Sequence, residues 1–330
     1  MMIETTELSG VYKISVPTPF PVGAVNCYVI EGEPLTLIDV GPKTEEAVVT
    51  LRNRLDLLGF DFSDIEQILI THGHIDHAGL TASILENSGA AKPVIRIHSR
   101  DAERILDNDG YINRRMKAYL DIVKSSGVPN EFYSYYNHER LVRYFSPLGA
   151  SVKSVTNISH GDTIETGIGF LEVHHTPGHS MGSVCYLHHE SNTMFSGDTL
   201  LKDISSNPSL SFDENELSLS FYLRSLESLQ PWDHYTVLPG HRHSIDKASQ
   251  RIEELQRDYH QKRDVVLGLI DTSPHTVYQV SRMLFGEYPV ESMVLALAET
   301  RDYIRILEKD RTDIIINEVN GVYTVSRTYV

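Results

Sequence analysis

The sequence predicts an α+β protein: a sandwich of sheets flanked by helices, followed by a smaller unit of three helices and a hairpin. Three observations carry this. Short strands alternate with helices over the first two-thirds of the chain, hairpin-like pairs interrupt the alternation, and the composition shifts near Ile245. The 330 residues suffice for about two domains, each able to bury a core. With 41% hydrophobic and 22% charged residues, the chain has a globular composition, which excludes wholesale disorder.

Val11–Val16, Cys27–Ile30 and Leu35–Val40 read as strands, the last ended by the turn signal Gly41-Pro42. Thr44 caps a helix reaching about Leu58, with Ala47, Val48, Leu51, Leu55 and Leu58 at three- and four-residue spacing. Gly59 stands where a terminating glycine belongs. Ile65–Ile70 is a strand that runs directly into Thr71-His72-Gly73-His74-Ile75-Asp76-His77-Ala78-Gly79. A helix over Leu80–Asn87 and a strand over Val94–His98 complete a βαβ-like unit. Residues 101–150 are helical and rich in aromatics, among them Tyr111, Tyr119, Tyr135, Tyr136, Tyr144 and Phe145. The favoured reading is an excursion that buries its own rings; the other is a cap that gives a pocket its apolar walls.

Strands return from about Val152. Thr163–Thr166 and Gly169–His174 form a hairpin-like pair, followed by Val184–Leu187 and Thr193–Phe195. A helix from Glu216 to Leu229 and a strand over Tyr235–Leu238 close this part. Beyond it come helices over 251–271, Thr276–Phe285 and Glu291–Lys309, then two β-rich runs joined by Asn320-Gly321, a strong hairpin signal. That order is winged-helix-like. The expected division is a catalytic domain over 1–245, carrying the 101–150 insertion, and a winged-helix-like domain over 246–330.

The formal charge of −16 disfavours broad binding to nucleic acid or anionic lipid. No run of about 18 apolar residues exists to span a membrane, and the acidic N-terminal stretch lacks the apolar region of a secretory signal. Two cysteines, Cys27 and Cys185, make no disulfide framework. A reducing, cytoplasmic setting is expected.

The 16 histidines are the chemically informative feature. His72-Gly73-His74-Ile75-Asp76-His77 packs four potential ligands into six residues at a strand end. Imidazole and carboxylate donors suit zinc, and also iron or manganese. In a loop following a strand, His72 and His74 can point into one cavity and share one ion. Asp76 and His77 are then left to face a second. Three more strand ends place a ligand-type residue after glycine: Gly178-His179, Gly197-Asp198 and Gly240-His241. Singly, each would be an ordinary turn. Together with the six-residue cluster they form one rim.

This set, Thr71-His72-Gly73-His74-Ile75-Asp76-His77 followed by His179, Asp198 and His241, resembles the signature of the metallo-β-lactamase fold superfamily over about residues 10–245. The resemblance implies a four-layer αβ/βα sandwich. It also implies that His72, His74 and His179 hold one divalent metal, Asp76, His77 and His241 hold a second, and Asp198 bridges them. Asp39, within Leu37-Ile38-Asp39-Val40-Gly41, matches an aspartate that orients a ligand histidine.

Two such ions, most simply Zn2+, imply a hydrolase whose nucleophile is a metal-bridging hydroxide, with Asp76 helping to protonate the leaving group. Two divalent ions set against Asp76, Asp198 and hydroxide leave about +1 at the site, so an anionic substrate is tolerated locally. Over the whole chain the sequence resembles hydrolases of this fold with a C-terminal winged-helix-like domain, a group that includes single-strand RNA endonucleases, while glyoxalase II-type thioester hydrolases share the catalytic domain and its ligand pattern. Residues 251–330 contain 10 Lys+Arg and 13 Asp+Glu, which disfavours a nucleic-acid partner. Arg301, Arg305 and Lys309 share a helical stripe, but Glu299, Asp302, Glu308 and Asp310 dilute it into a solvated, salt-bridged face.

The expected activity is therefore hydrolysis of a small ester, thioester or lactone. A metal-dependent endoribonuclease or phosphodiesterase is the alternative. A non-enzymatic nucleic-acid-binding regulator comes third, because a retired site has no chemical reason to keep all seven ligands. The C-terminal unit is expected to pack on the catalytic domain, wall the cleft or form a homodimer.

Overall fold

The computed structural model describes residues 4–207 and 216–328. Of the N-terminal stretch read above, Met1–Ile3 lie outside these. The first sheet has seven strands in chain order: β1 (Glu4–Thr5), β2 (Val11–Val16), β3 (Val25–Ile30), β4 (Thr36–Ile38), β5 (Gln67–Leu69), β6 (Val94–His98) and β7 (Thr156–Ile158). Pairs are antiparallel up to β4 and parallel from β4 to β7. Its crossovers carry α1 (Glu45–Leu57), α2 (Ile75–Ala78) and α3 (Thr81–Asn87), then α4 (Ser99–Leu106), α5 (Asn108–Ser125) and α6 (His138–Phe145).

The second sheet has the order β12-β11-β10-β9-β8. Its strands are β8 (Thr163–Thr166), β9 (Gly169–His175), β10 (Val184–His188), β11 (Thr193–Gly197) and β12 (Thr236–Pro239). All its pairs are antiparallel except β11 with β12. α7 (Ser218–Ser228) connects those last two strands.

The alternation of side chains explains the layers. In β3, Tyr28 and Ile30 join Tyr186, Phe195 and Leu238 in a core between the two sheets. Cys27 and Val29, one residue out of phase, face the opposite way, against Leu51 and Leu55 of α1. In β10, Val184 and Tyr186 point to the inter-sheet core while Cys185 and Leu187 point to an outer helical core. Strands buried on both faces read as nearly unbroken apolar runs, which is how Cys27–Ile30 and Val184–Leu187 look in the sequence.

Thr44 caps α1 by accepting the Ala47 N–H at 3.2 Å, and Gly59 follows the helix at φ +85°. The stretch 101–150 does both things its aromatics suggested. Tyr111 and Tyr136 are buried in the outer core and border a cavity that Tyr119, Tyr144 and Phe145 also line.

The C-terminal segment forms α8 (Ala248–Leu269), β13 (His275–Thr276), α9 (Val277–Phe285) and α10 (Met293–Asp310), then β14 (Ile314–Val319) and β15 (Val322–Arg327). The last strands join β13 in a small sheet of order β13-β15-β14, and Asn320 and Gly321 take the positive φ that a tight hairpin requires. Its helices share one continuous core with α5 and α7, through Tyr222, Tyr259, Leu297 and Tyr303.

The acidic residues of α10 correct the expectation of a solvated face. Glu299 and Asp302 are only 4% and 5% exposed. Glu299 pairs with Lys262 at 3.4 Å, and Asp302 accepts the Leu219 N–H at 2.9 Å in the first turn of α7. Those carboxylates serve packing between helices, a role that charge spacing alone does not reveal. Burial pushes the Asp302 carboxyl up to about 6 from 3.8. A raised carboxyl stabilises the fold below its unfolded pKa and loses that contribution as pH rises through the folded value. Asp302→Asn, which keeps the acceptor without the charge, should match the wild type near pH 4. It should exceed the wild type by about 2–3 kcal/mol at pH 7.5. Urea denaturation at both pH values checks this; equal stabilities at pH 7.5 would contradict it.

Candidate metal centre

Five strand ends converge at one edge of the sandwich, after β4, β5, β9, β11 and β12. They deliver Asp39, the His72–His77 segment, His179, Asp198 and His241 respectively. The segment after β5 is not the continuous loop expected. Ile75–Ala78 forms one helical turn, begun by His77 and Ala78 N–H groups bonding to the His74 carbonyl. Alternation still brings His72 and His74 together, and the helical turn swings Asp76 and His77 to the other side. So short a turn leaves no periodicity to read.

Three imidazoles meet first. His72 Nε2 lies 3.0 Å from His74 Nδ1, which lies 2.9 Å from His179 Nε2. On the other side His77 Nε2 is 3.3 Å from His241 Nε2, and Asp76 Oδ2 is 3.4 Å from His241 Nε2. Asp198 stands between the groups: Oδ1 is 3.4 Å from His77 Nε2, and Oδ2 is 3.5 Å from His179 and 3.6 Å from His241. All seven residues thus come together, in sets compact enough to enclose an ion.

The donor atoms are aimed by partners on the far side of each ring. His72 Nδ1 meets Thr71 Oγ1 at 3.1 Å, His179 Nδ1 meets the Asn207 carbonyl at 3.1 Å, and His241 Nδ1 meets the Ala24 carbonyl at 2.8 Å. His77 Nδ1 meets Asp39 Oδ2 at 2.7 Å. Four rings therefore turn Nε2 inward, and His74 offers Nδ1. Asp39 also accepts the Thr71 N–H and hydroxyl, at 2.8 and 2.7 Å, while held at φ +55°. Such a left-handed non-glycine residue is a backbone cost that its three hydrogen bonds offset.

Burial pushes the imidazoles of His72, His74 and His179 down, which keeps them neutral and electron-donating. Burial acts the same way on His77 and His241, but the Asp198 carboxylate outweighs it and raises both, aided by Asp39 and Asp76 around His77 and by Asp76 at His241. Asp198 is held far below the carboxylate range: burial opposes its charge, and His241, His77 and His179 overcome that.

The residues fit divalent cations on a direct observation. Asp198 Oδ1 is buried without a hydrogen bond among the described residues, its ion-pair contact being His77 Nε2 at 3.4 Å, in a site whose inward atoms are acceptors once the imidazoles are neutral. A buried carboxylate oxygen without a donor is costly unless a cation satisfies it. The glycines contribute through neighbouring side chains. A Cβ on Gly240 would come within 2.4 Å of Asp198 Oδ1 and 2.6 Å of His77 Cε1.

One functional residue escaped the sequence reading. Asp101, fully buried in the first turn of α4, accepts the Gly73 N–H at 2.7 Å and the Ser180 hydroxyl at 2.6 Å. Arg104 Nε lies 3.2 Å from its other oxygen. It ties the loop bearing His72 and His74 to the loop bearing His179. In sequence it looks like an ordinary acidic residue at a helix start.

The centre forms the floor of a cavity of about 1120 Å³, large for a small-molecule site. Phe20, Tyr119, Tyr135, Tyr144 and Phe145 line it, together with Val294 and Leu295 of α10. Phe20 stacks on Phe145 with centroids 6.0 Å apart, so the loop before β3 meets the insertion across the opening. Cys185 is buried away from this floor, its thiol pushed up to about 11 by burial, which suits a core residue rather than a nucleophile. Among the described residues no helix is long and apolar enough to cross a membrane.

The metallo-beta-lactamase superfamily model matches residues 20–241, and the chain belongs to that superfamily. It is 32% identical over 323 residues to a probable metallo-hydrolase, YqjP, of Bacillus subtilis, spanning 97% of this chain and 98% of the relative. A beta-lactamase-like protein 2 homolog of Caenorhabditis elegans is 22% identical, over 89% of this chain and 82% of its own. Among solved structures, a metallo-beta-lactamase family protein from Thermus thermophilus, TTHA1429, superimposes with a TM-score of 0.81 at 26% identity. It covers 98% of this chain and 100% of its own. A beta-lactamase domain protein from Burkholderia ambifaria gives 0.85 at 21% identity, over 98% and 94%. The similarity therefore extends through the C-terminal segment, and it supports a metal-dependent hydrolase.

Proposed function

We propose that this chain is a dinuclear metal-dependent hydrolase of an ester, thioester or lactone. The observation that carries the reading is the buried Asp198 oxygen that receives no hydrogen bond, set between two histidine groups at the floor of a large aromatic-walled cavity. His72, His74 and His179 would hold one divalent cation, Asp76, His77 and His241 the other, and Asp198 both. Zinc suits these donors, as do iron and manganese. When bound, such cations acidify water toward neutral pKa and polarise the scissile carbonyl.

The chain's own residues do the rest. Asp39 fixes the His77 ring so that Nε2 faces inward, and the Thr71 hydroxyl does the same for His72. The aromatic walls hold the apolar part of the substrate and exclude water from the floor. Asp76, an ionised carboxylate that borders the cavity, takes up the proton released by the attacking water and hands it to the departing oxygen or sulfur. Residues 246–330 are read as a winged-helix-like unit whose α10 forms one wall, consistent with the place of Val294 and Leu295.

The test is a panel of ester, thioester, lactone, phosphodiester and RNA substrates, run on chelator-treated protein before and after divalent metal is returned. Carbonyl substrates should be cleaved only after metal return. Cleavage confined to RNA or phosphodiesters, or turnover indifferent to chelation, would overturn the reading.

A further inference from the structure

The cationic residues around the cavity are distributed unlike those of the whole chain. The chain has 29 Lys+Arg against 45 Asp+Glu. Yet among the described residues the cavity is lined by Arg104, Arg115, Arg140, Arg143 and Arg242, with no lysine. Its acidic residues are Asp76 and Asp198 of the metal centre, plus Glu291. Outside the centre, five guanidinium groups face one carboxylate.

These arginines fall in two sets. Arg104 and Arg115 are inner: Arg104 is paired with Asp101, and Arg115 is 7% exposed with its guanidinium 5.1 Å from the Tyr119 ring centre. Arg140, Arg143 and Arg242 are exposed and form no ion pair among the described residues. Arg140 and Arg143 lie one turn apart on α6, and Arg140 stacks 5.1 Å over Tyr135. Arg242 takes φ +62°, pinned by the Asn26 amide donating to its carbonyl at 3.0 Å, and adjoins His241. Arginine rather than lysine at every position favours a planar oxyanion or phosphate held by paired N–H groups.

We propose that the substrate is an acyl ester or thioester whose carrier bears phosphate or carboxylate groups, held at the cavity mouth by Arg140, Arg143 and Arg242. The acyl portion lies along Tyr119, Tyr144 and Phe145 toward the metal floor. This rests on the hydrolase reading for the bond broken, and on the arginine rim alone for the carrier. The volume of about 1120 Å³ accommodates both parts at once. Hydrolysis is balanced: water adds its oxygen to the acyl carbon, the acyl–oxygen or acyl–sulfur bond breaks, and the carrier leaves with a proton.

The experiment compares thioesters that share one acyl group on three carriers: coenzyme A with phosphates, glutathione with carboxylates, and neutral N-acetylcysteamine. For metal-loaded wild type, kcat/KM for a charged carrier should exceed the neutral one by about 10- to 100-fold, mainly through KM. Added salt should shrink that advantage. A preference for coenzyme A assigns the rim to phosphate, and one for glutathione assigns it to carboxylate. In R140A/R143A the ratio of charged to neutral carrier should collapse toward one. Equal kcat/KM for all three carriers in wild type, or a preference that survives the double variant, would overturn the proposal.

Should no thioester be cleaved, titration calorimetry of free coenzyme A and of glutathione keeps the rim testable. Saturable binding of either that is lost in R140A/R143A supports an oxyanion site even if the hydrolase reading fails. Binding of neither carrier would sink it.

Discussion

Asp198→Ala should lower turnover of every substrate in the panel by at least about a thousandfold while leaving the fold intact. Asp198 alone presents oxygens to both histidine groups, Oδ1 toward His77 and Oδ2 toward His179 and His241. Its removal takes away the shared anion while the other six donors stay on separate strand ends. The metal-free variant also loses the carboxylate that His77, His179 and His241 surround, so its urea midpoint falls at neutral pH while the protein still folds. Loss of activity in a variant that stays folded, by circular dichroism, under the assay conditions is the signature. Turnover within tenfold of wild type would place the chemistry elsewhere.

Asp101→Ala should have the largest effect on stability, about 3–5 kcal/mol. The carboxylate is fully buried and accepts from Gly73 and Ser180, while Arg104 lies against it. Removing it leaves the Arg104 guanidinium without its ion pair and the buried Gly73 amide without its acceptor, while the Ser180 hydroxyl keeps only Ser183. The same change frees the loops that carry His72, His74 and His179 from each other. Metal affinity should therefore fall about 10- to 100-fold. Urea denaturation of the metal-free variant reads the first effect, and competition with a chromophoric chelator reads the second. A variant as stable as wild type, with unchanged affinity, would show that the loops are aligned by other contacts.

The difference between these two aspartates explains what could be read in advance. Asp198 follows a strand and a glycine, in a pattern repeated at His179 and His241, so local spacing announces it. Asp101 meets Gly73 and Ser180 only through the folded chain, 28 and 79 positions away. Strands such as Val94–His98 and Thr163–Thr166 were visible because apolar and polar residues alternate along them. The single helical turn at Ile75–Ala78 was hidden because four residues inside a ligand cluster show no period. Charge patterning misled at Glu299 and Asp302, since burial is decided by α7 and α8 packing on α10 and not by α10 itself. The arginine rim was likewise beyond the sequence: Arg140 and Arg143 lie in an unremarkable helix, and only the folded chain brings Arg242 to the cavity they line.

The claim beneath all of this is that the seven converging donors make one two-ion centre. Elemental analysis of the purified protein, after saturation with zinc and removal of excess, tests it most directly, with Asp198→Ala in parallel. Two ions per wild-type chain, and fewer than two in the variant, are the expected result. A wild-type chain that retains one ion or none, or an Asp198→Ala chain that still retains two, would contradict it.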